Sequence, residues 1–196
     1  MAIISSMIEA DGGKCDVAHF VAVNNGFMHT DAIANDLADV ATLVFANFEL
    51  VEAKHRGLDV DFFALKDYGI PDFNQLILIS SEDCYARRKD DIKLLVEVLH
   101  RAVLYIEENP EEAKRIYMSC VHSTTDDAIS NACYDATVPC FTPDFSLPDW
   151  YFESLNTWMF QKNIISRSVD VYEDRVWTNE LISGLKGSSS ASAADV

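Results

Sequence analysis

The sequence has few cations and no long apolar run. Its 196 residues carry 15 Lys and Arg against 32 Asp and Glu, which gives a formal charge of −17. A chain this acidic is repelled by phosphate backbones and by anionic membrane surfaces, so we expect no nucleic-acid partner. The apolar runs, of which residues 76–79 are among the longest, are too short to cross a bilayer, and no membrane insertion is expected.

The short motifs that carry catalytic or metal chemistry are also missing. Five cysteines are present without a Cys-x-x-Cys pair, and five histidines without a His-Glu-x-x-His spacing. Neither a Gly-x-Ser-x-Gly elbow nor a glycine-rich phosphate loop occurs. We therefore predict no catalytic residue, no metal and no cofactor. The loosely spaced thiols favour a reduced, cytoplasmic chain, or a periplasmic one if a signal preceded Met1.

What the sequence does contain is a regular alternation in its first part. Hydrophobic residues make up 49% of the chain, enough for a globular core. Apolar, β-branched runs predict strands at residues 17–23, 40–45, 60–65 and 75–80. Helical patterns at residues 3–9, 31–37 and 48–56 lie between or before them. This order predicts a βαβ sheet with right-handed crossovers, and hence an α/β fold.

The pattern becomes helical after residue 80. Apolar residues three and four apart predict helices at residues 89–108, from Pro110 to about 121, at 125–137 with a cap at Thr124 or Thr125, and at 149–161. The serine- and alanine-rich end, residues 186–196, is predicted to be disordered. We therefore expect an α/β lobe at 1–66 and a strand with helices at 67–185.

A candidate ligand site lies where the strand at 40–45 meets the next helix. Glu49 would stand one or two residues into that helix, at the sheet edge where ligands of α/β proteins collect. Its carboxylate can accept N–H bonds from an aminopyrimidine, and Asn47 offers a donor and an acceptor. Phe45 and Phe48 would form an apolar wall for the ring. The alternative is structural: Asn47 caps the helix and Glu49 favours its positive end.

Three stretches, at residues 46–53, 67–73 and 177–181, together resemble the pyrimidine-precursor proteins of thiamine biosynthesis. That family has the type II periplasmic-binding-protein fold, and its members include solute-binding proteins that feed an ABC importer. The resemblance implies binding of a thiamine-type aminopyrimidine. It implies that Glu49 contacts the pyrimidine, with Asn47 beside it and Asn25 approaching from the end of the preceding strand. It also implies a partial fold, with one α/β lobe and a mostly helical C-terminal part of the other.

Two alternatives stay open from the sequence. The family also contains hydroxymethylpyrimidine phosphate synthases, which use pyridoxal phosphate, iron and their own histidine. Their cysteine run would precede the strand at 75–80, where this chain has residues 70–74 without a cysteine. The interpretation therefore leans away from an enzyme. The other alternative is a fragment without a ligand. Met1 falls where the family's second lobe is already under way, so we expect a homodimer or pairing with a missing N-terminal half.

Overall fold

The computed structural model describes residues 2–74, 76–121, 127–170, 173–174 and 176–185. Within them the chain forms seven α-helices joined by irregular segments. These are α1 (Ala2–Ala10), α2 (His29–Ala34), α3 (Glu49–His55), α4 (Glu82–Glu108), α5 (Pro110–Cys120), α6 (Ala128–Thr137) and α7 (Asp149–Gln161). Short 3-10 turns lie at Val17–His19, Leu65–Tyr68, Val138–Cys140 and Glu180–Ile182.

The predicted α/β fold is wrong, because the described residues form no strand and no sheet. The predicted strand at 17–23 begins as the 3-10 turn Val17–His19. In the segment at 40–45, Leu43 takes a left-handed φ of 61°, which no strand residue adopts. The segment at 60–65 runs into the 3-10 turn at Leu65. β-branched composition favours a strand only when a second segment pairs with it, and here no pairing occurs among the described residues.

In the segment predicted as the fourth strand, at 75–80, Leu76 and Ile79 are both 86% exposed. The predicted strand began at Gln75, which lies outside the described residues. An uninterrupted apolar run favours a strand that is buried on both faces. The described part of this segment is exposed instead.

The predicted helices are largely confirmed, because their start and stop signals are local. The helix predicted at 149–161 has those same bounds as α7. Gly12 follows α1 with a φ of 80°, and Gly57 follows α3 with a φ of 73°, so both glycines supply the left-handed conformation that ends a helix. α4 begins earlier than predicted, at Glu82, and has a non-helical residue at Arg88.

The next two helices start with different signals. Pro110 opens α5, where its missing N–H costs no hydrogen bond. Asp127 caps α6, since its side chain accepts a hydrogen bond from the Ser130 N–H at 2.8 Å. The predicted caps of this helix, Thr124 and Thr125, lie outside the described residues, as does the predicted disordered tail at 186–196.

The described residues fall into two compact units. Unit one comprises the residues up to Ala18, Ala64–Ala102 and those from Pro143 onwards. Unit two comprises His19–Phe63 and Val103–Thr142. The predicted division into 1–66 and 67–185 stays a prediction. No helix in the described part of the chain combines the length and the apolar character that crossing a bilayer requires.

Contacts of the C-terminal run, residues 177–182, help to hold unit one together. Trp177 stacks on Phe152 with ring centroids 5.0 Å apart and planes 9° apart. Glu180 accepts hydrogen bonds from Tyr85 and Lys89 of α4. Thr178 Oγ1 accepts the Glu180 N–H at 3.1 Å, at the entrance to the 3-10 turn Glu180–Ile182. The run therefore docks the end of the described chain onto α4 and α7.

Candidate functional site

The candidate site lies in unit two, at the start of α3. Glu49 is the first helical residue, and its Oε2 accepts the backbone N–H of Phe45 at 2.7 Å. The turn is closed by a second bond, from the Phe48 N–H to the Phe45 carbonyl at 3.1 Å. Glu49 is half-buried, and its other oxygen, Oε1, has no hydrogen-bond partner among the described residues. One carboxylate oxygen thus fixes the turn, and the other remains able to accept.

Two aromatic rings flank this carboxylate in sequence. The Phe45 and Phe48 rings meet edge to face, with centroids 6.4 Å apart and planes at 81°. Phe48 is 46% exposed, so its ring offers apolar surface to solvent. Because the two rings are nearly perpendicular, a bound heterocycle can stack on one of them but not on both at once.

Asn47 does not cap α3, so that part of the structural alternative is wrong. The N-cap position belongs to Phe48, which makes no side-chain cap. The Asn47 amide reaches α6 instead, where Nδ2 donates to Thr137 Oγ1 at 2.8 Å. Thr137 in turn donates to the Cys133 carbonyl at 2.7 Å. This chain of bonds ties the turn before α3 to α6.

Cys133 completes the contact between α3 and α6. Its Sγ lies 3.9 Å from the Phe48 carbonyl, close enough for a weak S–H bond. Burial raises the pKa of the Cys133 thiol, and the negative charges of Glu52 and Glu49 raise it further. A raised pKa favours the thiol over the thiolate and so disfavours Cys133 as a nucleophile. Sequence reasoning missed both Thr137 and Cys133, because a single sequence carries no signal that links positions 85 to 90 residues apart.

A second layer of polar contacts fixes α3 against α2. Glu52 accepts from Thr30 Oγ1 at 2.9 Å and from Arg56 Nη1 at 3.0 Å. Arg56 Nη1 also binds Asp31 Oδ1 at 2.9 Å, and its hydrogen bonds to Asp31 and Glu52 raise its pKa. Thr30 is a buried residue within α2. These contacts set the direction of α3 and thereby the position of Glu49.

Asn25, the remaining predicted ligand residue, lies apart from this group. Its Nδ2 donates to the Met28 carbonyl at 2.9 Å within its own turn. It lines a cavity of about 110 Å³ formed by residues between Val23 and Thr42, which include neither Phe45 nor Glu49. Pockets that take drug-sized ligands have volumes of about 300 Å³ or more. The structure brings Phe45, Asn47, Phe48 and Glu49 together and leaves Asn25 in a cavity that none of these four residues lines.

A larger cavity of about 380 Å³ opens between α5 and α6. It was not predicted, and its two basic residues already have carboxylate partners. Lys114 Nζ binds both carboxylate oxygens of Asp135 at 2.7 and 2.8 Å, and Arg115 binds Glu112. An anion entering this cavity would therefore compete with carboxylates already in place. The cavity is lined by Glu111, Lys114, Arg115, Met118, Ser119 and Asn131.

No three His, Cys, Asp or Glu side chains in the described ranges lie close enough together to hold a metal ion.

Comparison of the sequence with known proteins identifies its family. A sequence model of the family described as NMT1/THI5 like matches residues 1–113. A formylaminopyrimidine-binding protein of Halalkalibacterium halodurans is 31% identical over 121 residues, which cover 60% of this chain. The match spans 35% of that relative's own length. No solved structure matches the chain. Because the family match covers more than half of its residues, the chain belongs to the NMT1/THI5-like family.

Proposed function

We propose that this chain binds a thiamine-type aminopyrimidine precursor at the start of α3. The family membership supports this proposal, as does the relative that is named for binding formylaminopyrimidine. The observation that carries it is the carboxylate of Glu49, which is anchored through Oε2 to the Phe45 N–H and keeps Oε1 free of partners among the described residues. A carboxylate fixed in this way is prepared to accept an N–H bond before a ligand arrives.

The chemistry matches the groups that an aminopyrimidine carries. Its ring amino group is a donor, and a bond from it to an ionised carboxylate is stronger than a bond between neutral groups. The exposed ring of Phe48 supplies an apolar face for the heterocycle. The chain's net charge of −17 favours a neutral or cationic ligand over an anionic one. In this proposal the chain acts as a solute-binding protein in thiamine biosynthesis or salvage.

Two experiments test the proposal: thermal shift, which measures the melting temperature, and calorimetric titration, which measures the affinity. The ligands are hydroxymethylpyrimidine, formylaminopyrimidine, thiamine, pyridoxal phosphate, riboflavin and taurine. We expect one of the two pyrimidines to raise the melting temperature and the other compounds to leave it unchanged.

The Glu49→Gln variant sharpens this test. The glutamine oxygen can still accept the Phe45 N–H, but its amide places a donor where Oε1 stood. We expect pyrimidine binding to weaken by about 1–3 kcal/mol. The control is Asp39→Asn, which removes one negative charge from an exposed residue of the same unit. Equal weakening in both variants, or none in Glu49→Gln, would overturn the assignment of Glu49.

A further inference from the structure

We propose that Thr137 is a positioning residue that sets which atom of the Asn47 amide faces the ligand. This inference rests on the proposed function and concerns which heterocyclic rings the site prefers. Locked by Thr137 through its NH₂, Asn47 keeps its carbonyl oxygen available as an acceptor, as Glu49 keeps Oε1 available two residues later. The site then selects a ring that brings hydrogen-bond donors over an otherwise similar ring that brings acceptors.

The hydroxyl of Thr137 determines which way the Asn47 amide is turned. A threonine hydroxyl has one hydrogen to donate and two lone pairs that accept. In this structure the hydrogen is committed to the Cys133 carbonyl, 2.7 Å away within α6. Toward Asn47 the hydroxyl can therefore only accept, and the Asn47 group that lies 2.8 Å from it must be the NH₂. A flipped amide would place two acceptor oxygens against each other at that distance.

The bond to Thr137 leaves only acceptor oxygens of Asn47 and Glu49 available to a ligand. With Nδ2 held by Thr137, the Asn47 Oδ1 is fixed on the other side of the amide and has no partner among the described residues. Glu49 Oε1, two residues later, is also without a described partner. Both remaining oxygens are acceptors. An unlocked asparagine can turn either its oxygen or its NH₂ to a ligand, so without Thr137 this discrimination would be lost.

The residue that holds Asn47 lies outside the segment that matches the family model. Thr137 lies in α6, beyond the residues 1–113 that match the family model, while Asn47 and Glu49 lie within them. The selectivity of the site thus depends on a helix outside the matched segment. Any change that shifts α6 against α3 would alter the ligand preference without touching the ligand contacts themselves.

The test compares two ligands that differ in one group: hydroxymethylpyrimidine, and its analogue with a methoxy group, which accepts but cannot donate, in place of the ring amino group. In wild type we expect the amino form to bind more tightly. In Thr137→Val, which keeps the shape of the side chain but loses the hydroxyl, we expect the ratio of the two affinities to fall about tenfold. Thr137→Ser keeps the hydroxyl and should retain the wild-type ratio.

A measurement without ligand tests the lock separately. In ¹⁵N spectra we expect the side-chain NH₂ of Asn47, assigned by its loss in Asn47→Asp, to exchange slowly with solvent in wild type and Thr137→Ser. It should exchange quickly in Thr137→Val. Rapid exchange in wild type would overturn the inference whether or not a pyrimidine binds.

The two proposals fail in different ways. If wild type binds the amino form and a folded Thr137→Val variant keeps the wild-type affinity ratio, the role of Thr137 is overturned and the proposed function stands. If wild type binds neither compound, the proposed function falls, and the ligand preference inferred here falls with it.

Discussion

Asn179 binds the backbone of Leu147 in both directions. Its Oδ1 accepts the Leu147 N–H at 3.0 Å, and its Nδ2 donates to the Leu147 carbonyl at 2.9 Å. The side chain thus pairs with a backbone residue as a neighbouring strand would. Both bonds are partly shielded from water, and they fasten the C-terminal run to the loop that precedes α7.

Removing this side chain should destabilise unit one. We expect Asn179→Ala to lower the free energy of unfolding by about 1–3 kcal/mol, because two partly shielded backbone groups lose their partner. Urea denaturation followed by tryptophan fluorescence measures the change, since Trp177 lies two residues away. Asn179→Asp keeps the acceptor but turns a charge toward the Leu147 carbonyl, so it should also lose stability.

Asn74→Ala is the matched control for that experiment. Asn74 is exposed and makes no described side-chain contact, so its replacement should change the free energy of unfolding by less than about 0.5 kcal/mol. An Asn179→Ala variant as stable as Asn74→Ala would show that the paired bonds contribute nothing.

The phenol of Tyr151 gives a prediction of opposite sign. Tyr151 is 7% exposed, and its buried hydroxyl has no hydrogen-bond partner among the residues that the structure describes. A buried donor without a partner carries a desolvation cost that phenylalanine avoids. We expect Tyr151→Phe to raise the free energy of unfolding by about 1 kcal/mol at neutral pH. Tyr85→Phe, which loses the 3.1 Å bond to Glu180, should lose stability instead.

The same residue predicts a pH dependence. Burial, and then the charge of Asp72, raise the pKa of Tyr151 from 10.0 to about 12. The folded chain therefore holds this proton more tightly than the unfolded chain does. That contribution to wild-type stability is complete below pH 10.0 and is lost as the pH rises toward about 12. The advantage of Tyr151→Phe should widen across this range, and a constant difference in urea midpoints would contradict the burial of the phenol.

The helices could be predicted because their determinants lie within a few residues of each other. The bounds of α7 follow from Pro148 before it and its apolar spacing, and Gly57 marks the end of α3. Strands depend on a partner that is distant in sequence. The apolar, β-branched run at 40–45 looks the same with or without a partner, and in this structure the left-handed Leu43 interrupts it.

The site shows the same division between local and distant information. Phe45, Asn47, Phe48 and Glu49 come together because they share one turn and the start of one helix. The partner of Asn47 could not be predicted, since Thr137 lies 90 residues further along the chain. The preference of acidic residues for the positive end of a helix agrees with Glu49 at the start of α3. The bond from the Phe45 N–H to Glu49 could not be predicted, because it depends on the geometry of a turn that no motif specifies.

The exposed segment at residues 76–79 predicts self-association. Leu76, Ile77, Leu78 and Ile79 are 86%, 55%, 61% and 86% exposed, and an uncharged apolar run of this kind promotes contact between copies. The charge of −17 opposes that contact, so association should increase with salt as the repulsion is screened. Sedimentation velocity at several protein and salt concentrations measures it. A monomer under all of these conditions would contradict the prediction.

A double substitution separates the apolar contribution from the electrostatic one. Leu76→Lys with Ile79→Lys adds two positive charges to an acidic chain, which by itself weakens the repulsion between copies. If the apolar run causes association, this variant should nonetheless shift toward monomer. The control, Ile164→Lys with Val176→Lys, adds the same two charges at exposed apolar positions elsewhere in unit one. It should associate at least as strongly as wild type. A shift of both variants toward monomer would mean that the lysines act irrespective of position, and that residues 76–79 are not the contact.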